Sequence, residues 1–423
     1  MKNTPKISFT KDLQYYKFCI YGFLKNLRFF EPFLILFFLE NGLTFFQIGT
    51  LYAIREIVRN IFEIPSGIFA DAIGRRRSMI ITFIFYIISF LIFYFSNVYY
   101  LFFIAMLFFS IGDAFRTGTH KAMIFEYLKI KAWQDQKIHY YGHTRSWSQF
   151  GSGISALLAA FVVFFHGNYN SIFLFTIIPY LIDLMLMISY PKELDGKTKM
   201  LKTEKIKESF LRIFKDLRYT FKKPEVLRAI VNTSSYSGYY KAVKDYIQPI
   251  LHAFALSLPM FLYMNNKQRS SIIIGVVYFL IFLLTSITSR HSGKFADKFK
   301  NISKPLNITL LIGLSAGILS GIFYNINISI ISILLYVIIF VIENLRKPIG
   351  ISFVAEKIEK DIMATALSVE SQVKSIFAAI TAILIGYFSD IFNPGIALAI
   401  CSGIILLLYP LFKAKQKRKP RMH

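Results

Sequence analysis

Apolar residues run through this chain in blocks of about 20 to 27, divided by short polar segments. A helix of that length crosses the roughly 30 Å hydrocarbon core of a bilayer at about 1.5 Å per residue. Lipid cannot hydrogen-bond an exposed backbone, so such blocks become spanning helices. The pattern predicts helices near 14–40, 45–70, 77–96, 99–127, 139–165 and 170–190. A second set follows near 228–255, 269–290, 304–324, 328–352, 363–388 and 395–413. Residues 191–227 read as a linker, because Pro191 to Lys223 is crowded with lysine and arginine, and an amphipathic helix on an anionic leaflet is expected there. The expected fold is all-α and integral to the membrane: twelve transmembrane helices in two six-helix bundles, 1–190 and 228–423, the second with a basic tail.

Charge fixes the orientation. A formal net charge of +25 would suit a nucleic-acid partner if it lay on one soluble face, but here it sits in short loops between apolar blocks. The N-terminus, Gly74 to Arg77, Lys129 to Lys137, the linker, Arg290 to Lys304 and the tail are basic. The alternate loops Glu40 to Phe46, His166 to Asn170, Tyr324 to Ile328 and Ser389 to Gly395 carry neither lysine nor arginine, and Lys267 with Arg269 is an exception. Lysine and arginine collect on the cytoplasmic side, which puts both termini in the cytoplasm and the chain in a plasma (inner) membrane. The first apolar block is too long for a cleaved signal and is expected to remain. Cys19 and Cys401 lie in separate apolar blocks, so neither a disulfide framework nor a metal site is expected.

The two halves repeat. Ser66-Gly67-Ile68-Phe69-Ala70-Asp71 matches Ser292-Gly293-Lys294-Phe295-Ala296-Asp297 at the end of the second helix of each half. Gly22, Lys25 and Arg28 in helix one match Gly238, Lys241 and Lys244 in helix seven, with Pro32 and Pro249 following. Asp113, Arg116 and Glu126 in helix four match Glu343, Arg346 and Glu356 in helix ten. A duplicated six-helix unit is the expected origin.

Six plus six helices and the segment Gly67-x3-Asp71-x2-Gly74-Arg75-Arg76-Arg77 resemble the major facilitator superfamily over essentially the whole chain. Glu63-Ile64-Pro65-Ser66-Gly67 is similar to the branch that holds many drug:proton antiporters. The resemblance implies a cytoplasmic gate at Gly67, Asp71, Gly74, Arg75, Gly293 and Asp297. Arg145 joins that gate as an expected partner of Glu126 or Asp71. Two departures count against drug antiport: Gly151-Ser152-Gly153-Ile154-Ser155 on helix five lacks the branch's proline, and Arg116-Thr117-Gly118 is only a loose match to its arginine motif.

The resemblance also implies that helices one, four, seven and ten line a central cavity. Ionisable groups near their centres are costly unless paired or functional. Lys25, Arg28, Arg116, Lys241, Lys244, Arg346 and Lys347 face Glu31, Asp113, Asp245 and Glu343, seven cations against four carboxylates. Spacings of three place Lys25 with Arg28, Lys241 with Lys244, Asp113 with Arg116 and Glu343 with Arg346 on shared faces. If the last two pairs neutralise themselves, the helix-one and helix-seven cations seek an anion, an arrangement similar to that of organophosphate exchangers in the superfamily. The substrate-binding candidates are therefore Lys25, Arg28, Arg116, Lys241, Lys244 and Arg346. Glu31, Asp113, Asp245 and Glu343 are the candidates for proton coupling. The competing reading is a closed ion-pair network that only holds the helices together.

The expected function is secondary transport of a small organic anion by alternating access, by a monomer with no cofactor. Proton-driven drug efflux is the alternative, and a non-transporting membrane scaffold or sensor is a third possibility. Enzymatic chemistry is not expected, since neither a metal constellation nor a nucleophile with its base is read here. His139 and His143, four apart, read as interfacial anchors, and His120 with Lys121 as interfacial or gate residues. Glu370 and Lys374 read as a pair, and the charges Arg55, Glu56, Arg59 and Glu63 along helix two, with Arg55, Arg59 and Glu63 on one face, read as pairing among themselves.

Overall fold

A computed structural model describes residues 9–196, 224–260, 262–356 and 363–414. The basic stretch at 197–223 and the tail from 415 lie outside the described residues, and with them the expected amphipathic helix. Fifteen α-helices are described. In chain order they are α1 (Leu13–Leu24), α2 (Leu34–Glu40), α3 (Phe45–Ile73), α4 (Arg75–Phe95), α5 (Tyr99–Arg116), α6 (Thr119–Ile130), α7 (Lys137–His166) and α8 (Ser171–Ile188). There follow α9 (Pro224–Val243), α10 (Ile247–Ser257), α11 (Asn266–Ala296), α12 (Ser303–Asn325), α13 (Ser329–Glu356), α14 (Met363–Ile391) and α15 (Pro394–Phe412). No strand occurs among the described residues.

Nine helical segments among the described residues are long and apolar enough to cross a membrane. The expected helices one, two and seven are not among them, for readable reasons. Helix one is split into α1 and α2 by an unwound stretch at 25–30 and a short 3-10 turn, Glu31–Phe33. Helix seven is split into α9 and α10 by a 3-10 turn at Lys244–Tyr246. The α3 helix is 29 residues long but carries Arg55, Glu56, Arg59 and Glu63. Helix four is also interrupted, at Thr117 and Gly118, where Gly118 takes a φ of +82°. That value is open to glycine at little steric cost.

The chain divides into two compact units. The first comprises residues up to 32 together with 61–206, and the second comprises 33–60 together with the rest from 207. In the first, α4 packs against α5 and α8, and α1 against α7 and α8. In the second, α9 packs on α14, and α12 on α13 and α15. The segment 33–60 belongs with the C-terminal helices. Gly49 of α3 lies against the backbone of Ala382 on α14, Gly386 lies against Phe45, and the Asp390 carboxylate accepts from the backbone N–H groups of Phe45 and Phe46 at 2.8 Å each.

The repeat read in the sequence reappears as packing. A Cβ on Gly22 of α1 would stand 3.0 Å from Ser148 Oγ on α7, and one on Gly238 of α9 would stand 2.7 Å from the Lys374 carbonyl on α14. The same glycine thus lets the first helix of each half approach the fifth. Small residues at helix contacts are how bilayer helices pack, since hydrophobicity gives no drive for apolar helices to leave lipid. Gly151, the glycine of the helix-five motif, serves the same contact, for its Cβ would meet the Phe23 backbone.

Candidate functional site

Unwinding at 25–30 frees backbone groups inside the first unit, and side chains take them up. The Tyr180 hydroxyl on α8 donates to the Lys25 carbonyl at 3.1 Å and accepts from Arg28 Nε at 3.2 Å. The same device occurs at the break in helix seven, where the Tyr336 hydroxyl donates to the Val243 carbonyl at 2.6 Å. Broken helices of this kind put backbone and charge at membrane depth only where protein or a cavity can receive them.

Around the first break lies a joined ionic cluster. Arg28 pairs with Glu31 and with Asp113, each at 3.3 Å. Arg116 reaches Asp113 at 3.0 Å, while the Tyr86 hydroxyl donates to Asp113 at 2.5 Å and accepts from Arg116 Nε at 3.0 Å. The Asp113 and Arg116 pairing matches the spacing of three. Arg28 is not held open for an outside anion in this conformation. The Lys25 ammonium stands 5.7 Å over the Tyr21 ring and forms no ion pair among the described residues.

The second unit contains a cavity of about 350 Å³. It is lined on α9 by Thr233, Ser237, Tyr240 and Lys241, on α13 by Glu343, Arg346, Lys347, Gly350 and Ile351, and on α14 by Glu370, Ser371 and Lys374, with Leu306 of α12 completing the wall. Four cations, Lys241, Arg346, Lys347 and Lys374, therefore border it against two carboxylates, Glu343 and Glu370. Glu343 accepts from Ser237 Oγ at 2.8 and 3.0 Å.

Two expectations for this region change. Glu343 and Arg346 share a helix face but make no direct ion pair. The Arg346 guanidinium is taken instead by the Leu306 carbonyl, Thr309 Oγ1 at 3.0 Å, and the Asn232 carbonyl and Oδ1 at 3.1 and 3.2 Å, above the Tyr236 ring. The two terminal nitrogens find four acceptors on two neighbouring helices, which outcompetes one carboxylate a turn away. Lys241 is not left seeking an anion either: its ammonium donates to Glu56 at 2.7 Å, and Glu56 also holds Arg59 at 3.0 Å and Arg55 at 3.8 Å. Lys244 pairs with Asp245 at 3.3 Å. Glu56 lies on another helix, 185 residues from Lys241, and a spacing along one helix does not reveal such a pair.

The gate residues of the first unit are brought together in part. Gly74 has a φ of +100° and caps α4, and a Cβ there would collide with the Asp195 carboxylate, which accepts from the Arg76 N–H at 2.6 Å. Arg75 reaches Asp71 at 4.0 Å and Glu126 at 3.5 Å. Arg145 does not fill its expected place: it is exposed and makes no ion pair among the described residues, and Glu126 is met by Arg75 and Lys129 instead. Around Gly67 and Gly293 the space that a Cβ would occupy is open, and Asp297 is an exposed C-cap of α11. The side chain of Glu356 is outside the described set.

Another carboxylate, Asp183 on α8, was not singled out from the sequence. It is fully buried, and neither oxygen has a hydrogen-bond partner among the described residues. The available signal was a lone ionisable residue in the otherwise uncharged span Ser171–Ile188.

Gly313-Leu314-Ser315-Ala316-Gly317 has the GxSxG form of a hydrolase nucleophile turn. It lies inside α12 rather than on a strand-to-helix turn. Its glycines receive the rings of Tyr236 and Tyr239, and Ser315 is exposed on the helix surface. It is a packing motif.

Helices broken beside buried charge, repeated in two halves, are the architecture found in membrane transporter folds. The chain belongs to the Major Facilitator Superfamily, whose description it matches over residues 18–373. It is a multi-pass membrane protein, and in a bacterium that membrane is the plasma membrane. It is 24% identical over 238 residues to an uncharacterised MFS-type transporter, YxaM, of Bacillus subtilis (strain 168); the match covers 54% of this chain and 56% of that relative. Its fold is similar to a crystal structure of a variant of the nucleoside transporter NupG, with a TM-score of 0.76 and 16% identity over 95% of this chain and 100% of that one. A variant of a peptide transporter, POT, gives 0.69 and 13% over 96% of each chain. A bacterial homologue of the lysosomal transporter Spinster gives 0.70 and 14% over 97% of this chain and 100% of that one.

Proposed function

We propose that this protein is a secondary active transporter that moves a small organic anion by alternating access, and that the cavity between α9, α13 and α14 is where the anion binds. The observation carrying this reading is the cavity wall, with four cationic side chains against two carboxylates around a volume of about 350 Å³. That space suits a solute of metabolite size. Lys347 and Lys374 are the assigned ligands, with Lys241 recruited when the anion competes with Glu56. Arginine and lysine meet phosphate and carboxylate through charge-assisted hydrogen bonds. Arg346 is assigned to holding α13 against α9 and α12, and Glu343 to proton exchange beside the bound anion. In the first unit, Lys25, Arg28 and Arg116 with Glu31 and Asp113 form a charge network that adjusts as the protein cycles, and Lys244 with Asp245 does so in the second.

The proposal takes twelve spanning helices, nine of them the long apolar segments of the described residues and the other three formed by α1 with α2, by α3, and by α9 with α10. It keeps two bundles, 1–190 and 228–423, joined by a cytoplasmic linker at 191–227, with both termini in the cytoplasm and Asp71, Gly74 and Arg75 in the gate. Export of lipophilic cations is the weaker reading, because Tyr240 is the one aromatic side chain among the described residues of the cavity wall.

Melting of the purified protein tests the ligand class, since a solute that binds only the folded state stabilises it. Organic phosphates or carboxylates raise the melting temperature of the wild type and not of Lys374→Ala. A rise confined to lipophilic cations contradicts the proposal.

A further inference from the structure

Asp183 lies on α8, packed against α4, α1 and α7. Its side chain is wholly buried and both carboxylate oxygens lack a hydrogen-bond partner among the described residues. An ionised carboxylate is not tolerated in such a place without a partner, whereas a neutral acid is. Tyr21 of α1 and Lys25, the residue that caps it, are within electrostatic reach. Tyr190, just beyond the end of α8, is also within electrostatic reach. From α4, Arg76 is committed to the carbonyls of Ile188 and Tyr190, and Tyr86 to Asp113. His120 of α6 is stacked on Tyr21 at 3.6 Å and contacts Tyr190. Of the cations named, Arg76 is held by carbonyls, whereas the Lys25 ammonium makes no ion pair among the described residues and stands 5.7 Å over the Tyr21 ring. Lys25 is also the first residue of the stretch 25–30, where the regular α-helix gives way to turns; its own N–H still donates to the Tyr21 carbonyl at 3.1 Å, and the irregular backbone follows it.

We propose that Asp183 is a proton-binding site of the first unit: it holds a proton in this conformation, and on losing it draws Lys25, with the segment carrying Arg28, into an ion pair with α8. In that step the O–H bond of the carboxyl breaks, the proton leaves to solvent, and the ammonium of Lys25 keeps its protons. A solvent proton is thereby converted into a movement of the broken helix. The proposal rests on the transporter reading only for its purpose; its test needs no transported solute, so the two can fail separately.

The test is infrared difference spectroscopy of the purified protein through an alkaline step. The wild type loses a carbonyl band of a weakly hydrogen-bonded carboxylic acid and gains carboxylate bands. That acid band is absent from Asp183→Asn, shifted in frequency in Asp183→Glu, and retained in Glu343→Gln. In Lys25→Met the acid band persists through the step, because the ion pair that stabilises the carboxylate is gone. If Asp183→Asn folds poorly, the shift in Asp183→Glu still identifies the group. An acid band unaffected by both Asp183 variants, or no such band at all, overturns the proton site. Equal loss of the band in Lys25→Met and wild type overturns the role of Lys25.

Discussion

Arg346→Lys separates the two roles that an arginine beside the cavity could have. The guanidinium satisfies four acceptors, the Leu306 carbonyl, Thr309 Oγ1 and both oxygens of Asn232, and covers the Tyr236 ring. An ammonium has three donors on one atom and cannot span acceptors on two helices, so at least two of these contacts are lost. Hydrogen bonds to charged groups are worth about 1.5–3 kcal/mol in soluble proteins. Interhelical bonds in membranes average about 0.6 and reach about 1.7 kcal/mol, because the membrane-inserted reference state also finds partners. The smaller scale applies here, and loss of two to three bonds gives a destabilisation of about 1–5 kcal/mol. Cys19 and Cys401 are free and buried, so a thiol-reactive dye reports unfolding directly. Arg346→Lys lowers the melting temperature while an anion still raises it. Unchanged melting with a lost anion response would refute the clamp and make Arg346 a ligand.

Three further substitutions follow from the same contacts. Glu56→Gln leaves Arg55, Arg59 and Lys241 without their shared carboxylate and costs about 3–5 kcal/mol, the range for breaking a buried pair, seen as a lowered melting temperature. Gly74→Ala forces a Cβ against Asp195 at a φ that favours glycine; melting falls by the equivalent of about 1–3 kcal/mol, and Asp195→Ala recovers the steric part. Gly151→Val pushes a branched side chain into the α1 backbone at Phe23 and lowers melting by the equivalent of about 1–3 kcal/mol or more, with Gly142→Val, where the space is open, as the control.

Helix positions were legible because the apolar blocks are long and the basic loops separate them. The interruptions at 25–30, at Thr117 and Gly118, and at Lys244–Tyr246 were not, since a few unwound residues keep the composition of the helix around them. What permits the first and last is remote: the hydroxyls of Tyr180 and Tyr336, from helices far along the chain. The same limit governs the charges. Spacing found Asp113 with Arg116 and the face shared by Glu343 and Arg346, but a spacing of three gives only an opportunity. Arg346 went to carbonyls on other helices, and Lys241 to Glu56 of α3. Repetition carried further than spacing did, because Gly22 and Gly238 answer to the same packing need in each half. Asp183 was visible as a lone charge in an apolar span; that neither oxygen has a hydrogen-bond partner among the described residues became apparent only in three dimensions.

The central claim, transport of a small organic anion, is tested most directly by uptake into proteoliposomes. Vesicles containing the purified protein are incubated with a mixture of organic phosphates, carboxylates, amino acids and lipophilic cations, then filtered, and the retained solutes are quantified by mass spectrometry with and without a pH gradient. The account predicts protein-dependent retention of one or a few anions, increased by the gradient and reduced at least tenfold in Lys374→Ala, the equivalent of about 1.4 kcal/mol of lost binding. Retention of lipophilic cations alone, or of no solute above that in protein-free vesicles, would contradict it.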